Sequence, residues 1–141
     1  MFNQMSDRSN VDNIRSISDE EFDQLLREVE EKLAAKKRRR EQPYVLDLIK
    51  VLWPCGPRGL RRDFAIRRVW ELRQPSGLNI PKKFEQAVQS AFNRHNGQSL
   101  TFELPPEDDL FYPVGGKGSG IWAVHLDKIE PWLRKKRLKA I

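Results

Sequence analysis

Gly115-Gly116-Lys117-Gly118-Ser119-Gly120 packs four glycines into six positions, between the apolar, aromatic runs Leu110-Phe111-Tyr112-Pro113-Val114 and Ile121-Trp122-Ala123-Val124-His125. Glycine reaches positive φ without steric cost, so a cluster of this kind between strand-like runs predicts the tip of a β-hairpin. The tip carries one cation, Lys117, and no bulky side chain. Its backbone is therefore able to lie close against another surface.

The segment before the hairpin has helical character. Pro81 opens a helix that runs to His95, and Asn96-Gly97 closes it, with the glycine expected to supply a left-handed cap. At about 100° per residue, Phe84, Val88, Ala91 and Phe92 gather on one face. Gln86, Ser90 and Asn93 point the other way, flanked by Lys82, Lys83, Gln89 and Arg94. Asn and Gln pair bidentately with adenine, and Ser bonds to either kind of base edge. Lys and Arg at the margins suit phosphates, which position a protein without specifying sequence. Alone, such a face is what many solvated helices show; beside a Gly-Lys-Gly hairpin in a basic domain it reads as a nucleic-acid contact.

Two more helices are expected upstream. Tyr44, Val45, Leu48, Ile49 and Leu52 keep helical spacing after Pro43, and Pro54-Cys55-Gly56-Pro57-Arg58-Gly59 breaks the chain. Arg61 to Leu72 predicts the next helix, with Phe64, Ala65, Val69 and Leu72 inward and Arg61, Arg62, Arg67 and Arg68 outward or lateral. Gln74-Pro75-Ser76-Gly77 then makes the turn into the 81–95 helix. Helices followed by a two-stranded ribbon are the order of a winged helix-turn-helix, a fold used mostly on DNA. Leu100–Leu104 is expected to add a short strand, and Pro105–Asp109 a polar loop. In the hairpin, Trp122, Val124 and Leu126 share one face and Ala123 and His125 the other, with Trp122 a core plug. Asp127 starts a last helix with Ile129, Trp132 and Leu133 inward. Its basic tail, Arg134, Lys135, Lys136, Arg137 and Lys139, reads as a second phosphate contact or a solvated terminus.

Residues 1–17 lack periodicity and read as disordered. Ser18 and Glu21 form a capping box at the head of a helix over 18–41. Phe22, Leu25, Leu26, Val29 and Leu33 fall on one stripe of it, suited to a partner, a second copy or the domain itself. Acidic residues lead this helix and Lys36-Lys37-Arg38-Arg39-Arg40 ends it, the order that complements the helix dipole.

Charge is divided along the chain. Residues 1–35 carry a net −5 and residues 36–141 a net +11, so the overall +6 understates how basic the larger part is. A basic domain usually faces phosphates or another anionic surface. A single cysteine, Cys55, permits no internal disulfide. No apolar run approaches the ~18 residues of a membrane span, and the polar, acidic start is unlike a signal peptide. A cytoplasmic, nucleoid-associated location is the expectation.

Catalytic motifs are weak. Gly115–Gly120 lacks the Ser/Thr that follows Lys in a Walker loop, and a strand rather than a helix comes next. Cys55, His95 and His125 are too few and too scattered for a zinc site. No enzyme activity, cofactor, metal or small-molecule substrate is expected.

Phe84-Glu85-Gln86-Ala87-Val88, Phe92-Asn93-Arg94-His95, Asp109-Leu110-Phe111 and Val114-Gly115-Gly116-Lys117-Gly118-Ser119-Gly120-Ile121-Trp122 together resemble a winged-helix module of bacterial restriction and HNH-type nuclease proteins. The resemblance covers about residues 44–126 and is strongest over 84–122. It implies a DNA-binding accessory role. Gln89 stands where that family often has Arg, and Phe92 where it often has Leu; no nuclease domain accompanies the module here.

The resulting expectation is an α+β, mainly helical chain. A winged-helix domain over 42–126 carries an N-terminal helical extension and a basic C-terminal helix over 127–141. The predicted partner is double-stranded DNA, in a transcriptional or DNA-transaction regulator. Lys82, Lys83, Gln86, Gln89, Ser90, Asn93 and Arg94 meet the major groove; Lys117 and Ser119 meet backbone or minor groove. Arg61, Arg62, Arg134, Lys135, Lys136 and Arg137 hold phosphates. The 18–41 helix is expected to recruit a second copy or a protein partner. The rival readings are a protein-interaction module and a non-catalytic subunit of a nuclease or recombination complex.

Overall fold

The computed structural model describes residues 17–37, 44–73, 79–116 and 118–139, without the side chains of 33–37 and 138–139. The chain is α+β and mainly helical. Five helices are described: α1 (Asp19–Lys37), α2 (Tyr44–Leu52), α3 (Arg62–Arg73), α4 (Lys82–Arg94) and α5 (Leu126–Lys139). Strands β1 (Leu60–Arg61), β2 (Phe111–Pro113) and β3 (Ile121–Val124) form one antiparallel sheet in the order β1-β3-β2. Among the described residues, no helix is long and apolar enough to cross a membrane.

Local chemistry sets the boundaries. Glu21 N donates to Ser18 Oγ at 3.2 Å and Ser18 N to Glu21 Oε1 at 3.1 Å, so two free amides at the head of α1 are satisfied reciprocally. After α2, Pro54 and Pro57 sit in a 3-10 turn over Trp53–Arg58 that ends at Gly59, φ 72°. A Cβ at Gly59 would run into the Trp122 carbonyl, so glycine is needed for the chain to enter β1 beside β3. Leu60 then pairs with Trp122 and Arg61 with Ile121. β1 leaves no mark in the sequence, because two residues carry no periodicity, and Arg61 belongs to this strand rather than to a helix.

One apolar cluster runs through elements from both ends of the chain. Phe22, Leu25, Leu26 and Val29 on α1 are all buried. Phe22 stacks on Trp53, centroids 4.2 Å apart and planes within 1°. Trp53 Nε1 in turn donates to Asp19 Oδ1 at 3.3 Å. α1 packs along α5, where Arg137 meets Glu28 at 2.7 Å. The stripe expected to recruit a partner is therefore covered by this chain itself, because Trp53 and α5 offer an apolar surface of matching length. The Leu33 side chain, the basic run at 38–40, residues 1–16 and the turn at 74–78 lie outside the described residues.

Between α2 and α3, Arg73 Nε reaches Asp47 Oδ2 at 2.6 Å and its guanidinium covers the Tyr44 ring at 4.2 Å. Burial holds the Asp47 carboxyl above its usual range, only partly offset by Arg73.

α4 is joined to the hairpin by aromatic stacking. Phe92 lies 4.0 Å from Trp122 with planes within 10°, and 5.5 Å from Phe111 with planes within 12°. Trp122 is buried, as its core role required. His95 closes the same junction: its carbonyl accepts from Leu110 N at 2.8 Å and Phe111 N at 3.0 Å. Its Nδ1 lies 3.0 Å from the Asp108 carbonyl, which fixes a proton on Nδ1 because a carbonyl only accepts. On α5, Ile129, Trp132 and Leu133 are buried, and Trp132 Nε1 donates to Asp108 Oδ1 at 2.7 Å.

Three expectations fail in instructive ways. Phe64 and Leu72 are 53% and 48% exposed. The buried stripe of α3 is Ala65, Ile66 and Val69, which puts Phe64 on the far side of the helix. Residues 100–104 form no strand, since Ser99 and Thr101 turn the chain through bonds to one another. Gly97 supplies no positive-φ cap. Its N–H instead donates to Asp109 Oδ1 at 2.7 Å, and a Cβ there would strike that carboxylate. Ala123, on the opposite face of β3 from Trp122, is fully buried as well.

Two outcomes follow. Phe92→Ala should lower the unfolding free energy by about 3–5 kcal/mol in a urea titration; a loss under about 1 kcal/mol would remove the stack from its central place. Burial lowers the His95 pKa below its ordinary 6.5. The unfolded chain then takes up the proton first, so stability is full above about pH 6.5 and declines as pH falls through the lower folded value. His125 is lowered by burial too and acts in the same sense, while the raised Asp47 opposes them. Melting curves of His95→Asn, which keeps a donor toward Asp108, should decline less steeply between about pH 7 and 5 than those of the parent chain. Parallel declines would show that His95 contributes nothing.

Candidate nucleic-acid interface

The inward side of α4 is fixed by Val88 and Phe92, so its opposite side is presented outward. Lys82, Lys83, Gln86, Ser90 and Arg94 are exposed there, and Gln89 and Asn93 half-buried. Beside this face stands the hairpin tip. Gly115, Gly116, Gly118 and Gly120 have φ of 85°, 103°, 85° and 78°, a path closed to residues with a Cβ. A cleft of about 530 Å³ separates the two elements, its walls including Gln89 and Asn93 on one side and Gly118 and Gly120 on the other. The edges of Phe92 and Trp122 reach its floor. The stack that holds the fold thus also sets the distance between the amide face and the ribbon.

Ser119 is exposed, and its Oγ accepts from Ile121 N at 3.2 Å, so it braces the hairpin from within. Lys117 lies outside the described residues.

The predicted cations divide into two sets. Arg134 pairs with Glu130 at 2.8 Å, Lys135 with Glu107 at 2.9 Å and Arg137 with Glu28 at 2.7 Å. Lys136 lies over the Trp132 ring at 5.3 Å. Glu107 also raises the pKa of Lys135, first by their hydrogen bond and then by its charge. Lys135 thereby attaches α5 to the 106–108 turn and Arg137 attaches it to α1, while Arg134 is paired within α5 itself. By contrast Arg61, Lys82, Lys83 and Arg94 have no carboxylate partner among the described residues, and neither have Arg58, Arg67 and Arg68. Arg61 extends over the Phe64 ring at 5.7 Å.

Arg62 is engaged within the chain. Its Nη2 lies 3.2 Å from Glu85 Oε2 and its Nη1 3.3 Å from Asp63 Oδ1. Its Nε donates to Gln89 Oε1. Two carboxylates offset its charge, so it ties α3 to α4 instead of standing free for a phosphate. Gln89 is likewise engaged, with Nε2 donating to Asn93 Oδ1 at 3.2 Å.

The loop 98–101 was missed as part of the site, although Gln98, Ser99, Leu100 and Thr101 line the cleft opposite the hairpin. It is braced by Asn96, whose Oδ1 accepts from Gln98 N at 2.9 Å. The signal was present in the alternating Ser99-Leu100-Thr101, which the strand reading absorbed. Comparison with protein-family models, with curated proteins and with solved structures returns no match.

Proposed function

We propose that this chain is a DNA-binding winged-helix protein acting as a transcriptional or DNA-transaction regulator. α3 and α4 serve as the helix-turn-helix, α4 enters the major groove, and the 114–120 hairpin lies on the backbone or minor groove. The order α2, β1, α3, α4, β2, β3 and the sheet order β1-β3-β2 support the fold reading. In a helix-turn-helix the second helix reads base edges while the first crosses the backbone. α4 offers Gln86, Ser90 and Asn93 to base edges, and Lys82, Lys83 and Arg94 to phosphates.

The observation that carries this reading is the segregation of free charge. Arg61, Lys82, Lys83 and Arg94 lack acidic partners among the described residues, whereas Arg134, Lys135 and Arg137 of the α5 tail are paired within the chain. Only the former leave a positive potential for an incoming duplex. The partly exposed Phe64 and Leu72, with Arg68 between them in sequence, favour a second reading in which α3 contacts another protein.

Fluorescence anisotropy with a labelled random-sequence duplex separates these readings. Neutralising about five phosphates gives a slope near −4.5 for log K against log salt. The triple variant Lys82→Ala, Lys83→Ala, Arg94→Ala should lose at least about tenfold in affinity at 0.1 M salt. The triple variant Arg134→Ala, Lys135→Ala, Arg137→Ala should stay within about threefold, since paired charges attract phosphate weakly. A slope near zero, or equal losses in the two triples, would overturn the proposal.

A further inference from the structure

Arg62, Gln89 and Asn93 form a chain of hydrogen bonds whose direction is dictated by chemistry. A guanidinium has five N–H donors and no acceptor, so the atom facing Arg62 Nε has to be an acceptor. That atom is Gln89 Oε1. The Gln89 amide is thereby oriented: its NH₂ group is on the other side, and Nε2 donates to Asn93 Oδ1 at 3.2 Å. The two residues are four apart on α4, a spacing that places them on one face. Asn93 is oriented in turn. Its oxygen faces back along the helix, and its Nδ2 hydrogens have no partner among the described residues.

The start of the chain is itself anchored. Glu85 and Asp63 hold the two terminal nitrogens of Arg62 at 3.2 Å and 3.3 Å. Its side chain is 31% exposed, less than half as much as that of Asp63 at 76%. Rotating the Gln89 amide would bring NH₂ hydrogens against the guanidinium, so the polarity is locked. Asn93 stands on the wall shared by the cleft toward Gly118 and Gly120 and a second depression lined by Ser90, Arg94 and Thr101.

We infer that Arg62 and Gln89 are positioning residues that make Asn93 a donor, so that this site selects a base edge carrying acceptors. Guanine, with N7 and O6, is preferred; cytosine, which offers only its N4 donor in the major groove, is rejected. This inference rests on the DNA-binding reading and narrows it. Asn commonly pairs bidentately with adenine N6 and N7, using its oxygen and nitrogen together. Here the bond from Gln89 takes one of the oxygen's two lone pairs and turns the amide so that its nitrogen leads outward, and the bidentate adenine pairing expected of this face gives way to guanine.

Selection of bound sites from randomised duplexes, using the full chain, tests the assignment. The parent chain should enrich guanine over cytosine by about tenfold at one position, identified as the position that Asn93→Ala flattens while the others persist. Gln89→Glu still accepts from Arg62 but presents a second acceptor to Asn93. The Asn93 amide then turns its nitrogen inward and its oxygen outward, and the same position should switch to cytosine or adenine. Gln89→Met breaks the chain and should leave that position without preference. Circular dichroism confirms that each variant is folded before selection. A general loss of affinity in Gln89→Glu does not alter the reading, because the identity of the base is what is scored. An unchanged guanine in Gln89→Glu, or a parent chain with no preferred base at any position, overturns the assignment and leaves DNA binding standing. Failure of the parent chain to bind any duplex rejects both.

Discussion

The stacking of Phe92 on Trp122 and Phe111 is the contact on which the arrangement turns. Val88 and Phe92 are the buried residues of α4, and Phe84 at its head packs edge-on against Tyr44 and Trp70. Offset aromatic pairs add to the apolar area they bury, and they also set a spacing, because rings approach one another at a narrow range of distances. The same rings that close the core form the floor of the cleft. A change in that floor would move the outer face of α4 relative to the ribbon. His95 reinforces the joint from the helix end, its backbone carbonyl receiving the first amides of β2 and its ring held to the 108 carbonyl.

Electrostatics separates two faces that look alike in sequence. The chain has basic residues in nearly every segment, but an ion pair with an internal carboxylate changes what a cation does. Along α5, Glu130 of the same helix, Glu107 of the 106–108 turn and Glu28 of α1 pair with Arg134, Lys135 and Arg137. Exposed pairs of this kind contribute little energy each, yet they cancel the field that a phosphate would feel. Around α4 the acids Glu85 and Asp63 are spent on Arg62 alone. The lysines at the head of the helix and Arg94 at its end have no acidic partners among the described residues.

Much of the architecture was legible in the residues because it depends on local rules. Ser18 with Glu21, Pro81 at the head of α4, and glycines at the hairpin tip each act within a few positions of themselves. The faces of α4 followed from helical spacing, and the buried Trp122 from its apolar neighbours. What escaped depends on distant partners. β1 exists because Gly59 permits close approach to a strand some sixty residues later in the chain. The fate of the α1 stripe was decided by Trp53 and α5, and that of the α5 cations by Glu28 and Glu107. Charge runs show sign but not pairing, so the internal partners of the tail were not legible. Phe64 was misplaced because an apolar residue was assumed to follow the buried stripe, and the helix register put it elsewhere. The polarity of Asn93 was hidden for the same reason: it is set by Arg62, twenty-seven residues before Gln89.

The central claim is that the outer face of α4 and the glycine-tipped ribbon form one surface that meets a duplex together. Titrating a short duplex into isotopically labelled protein and following the amide resonances by NMR addresses it directly. Gln86, Ser90 and Asn93 should shift together with Gly118 and Gly120, along one binding curve, while Arg134 to Arg137 stay in place. Shifts confined to α5, or to α4 without the ribbon, would contradict it.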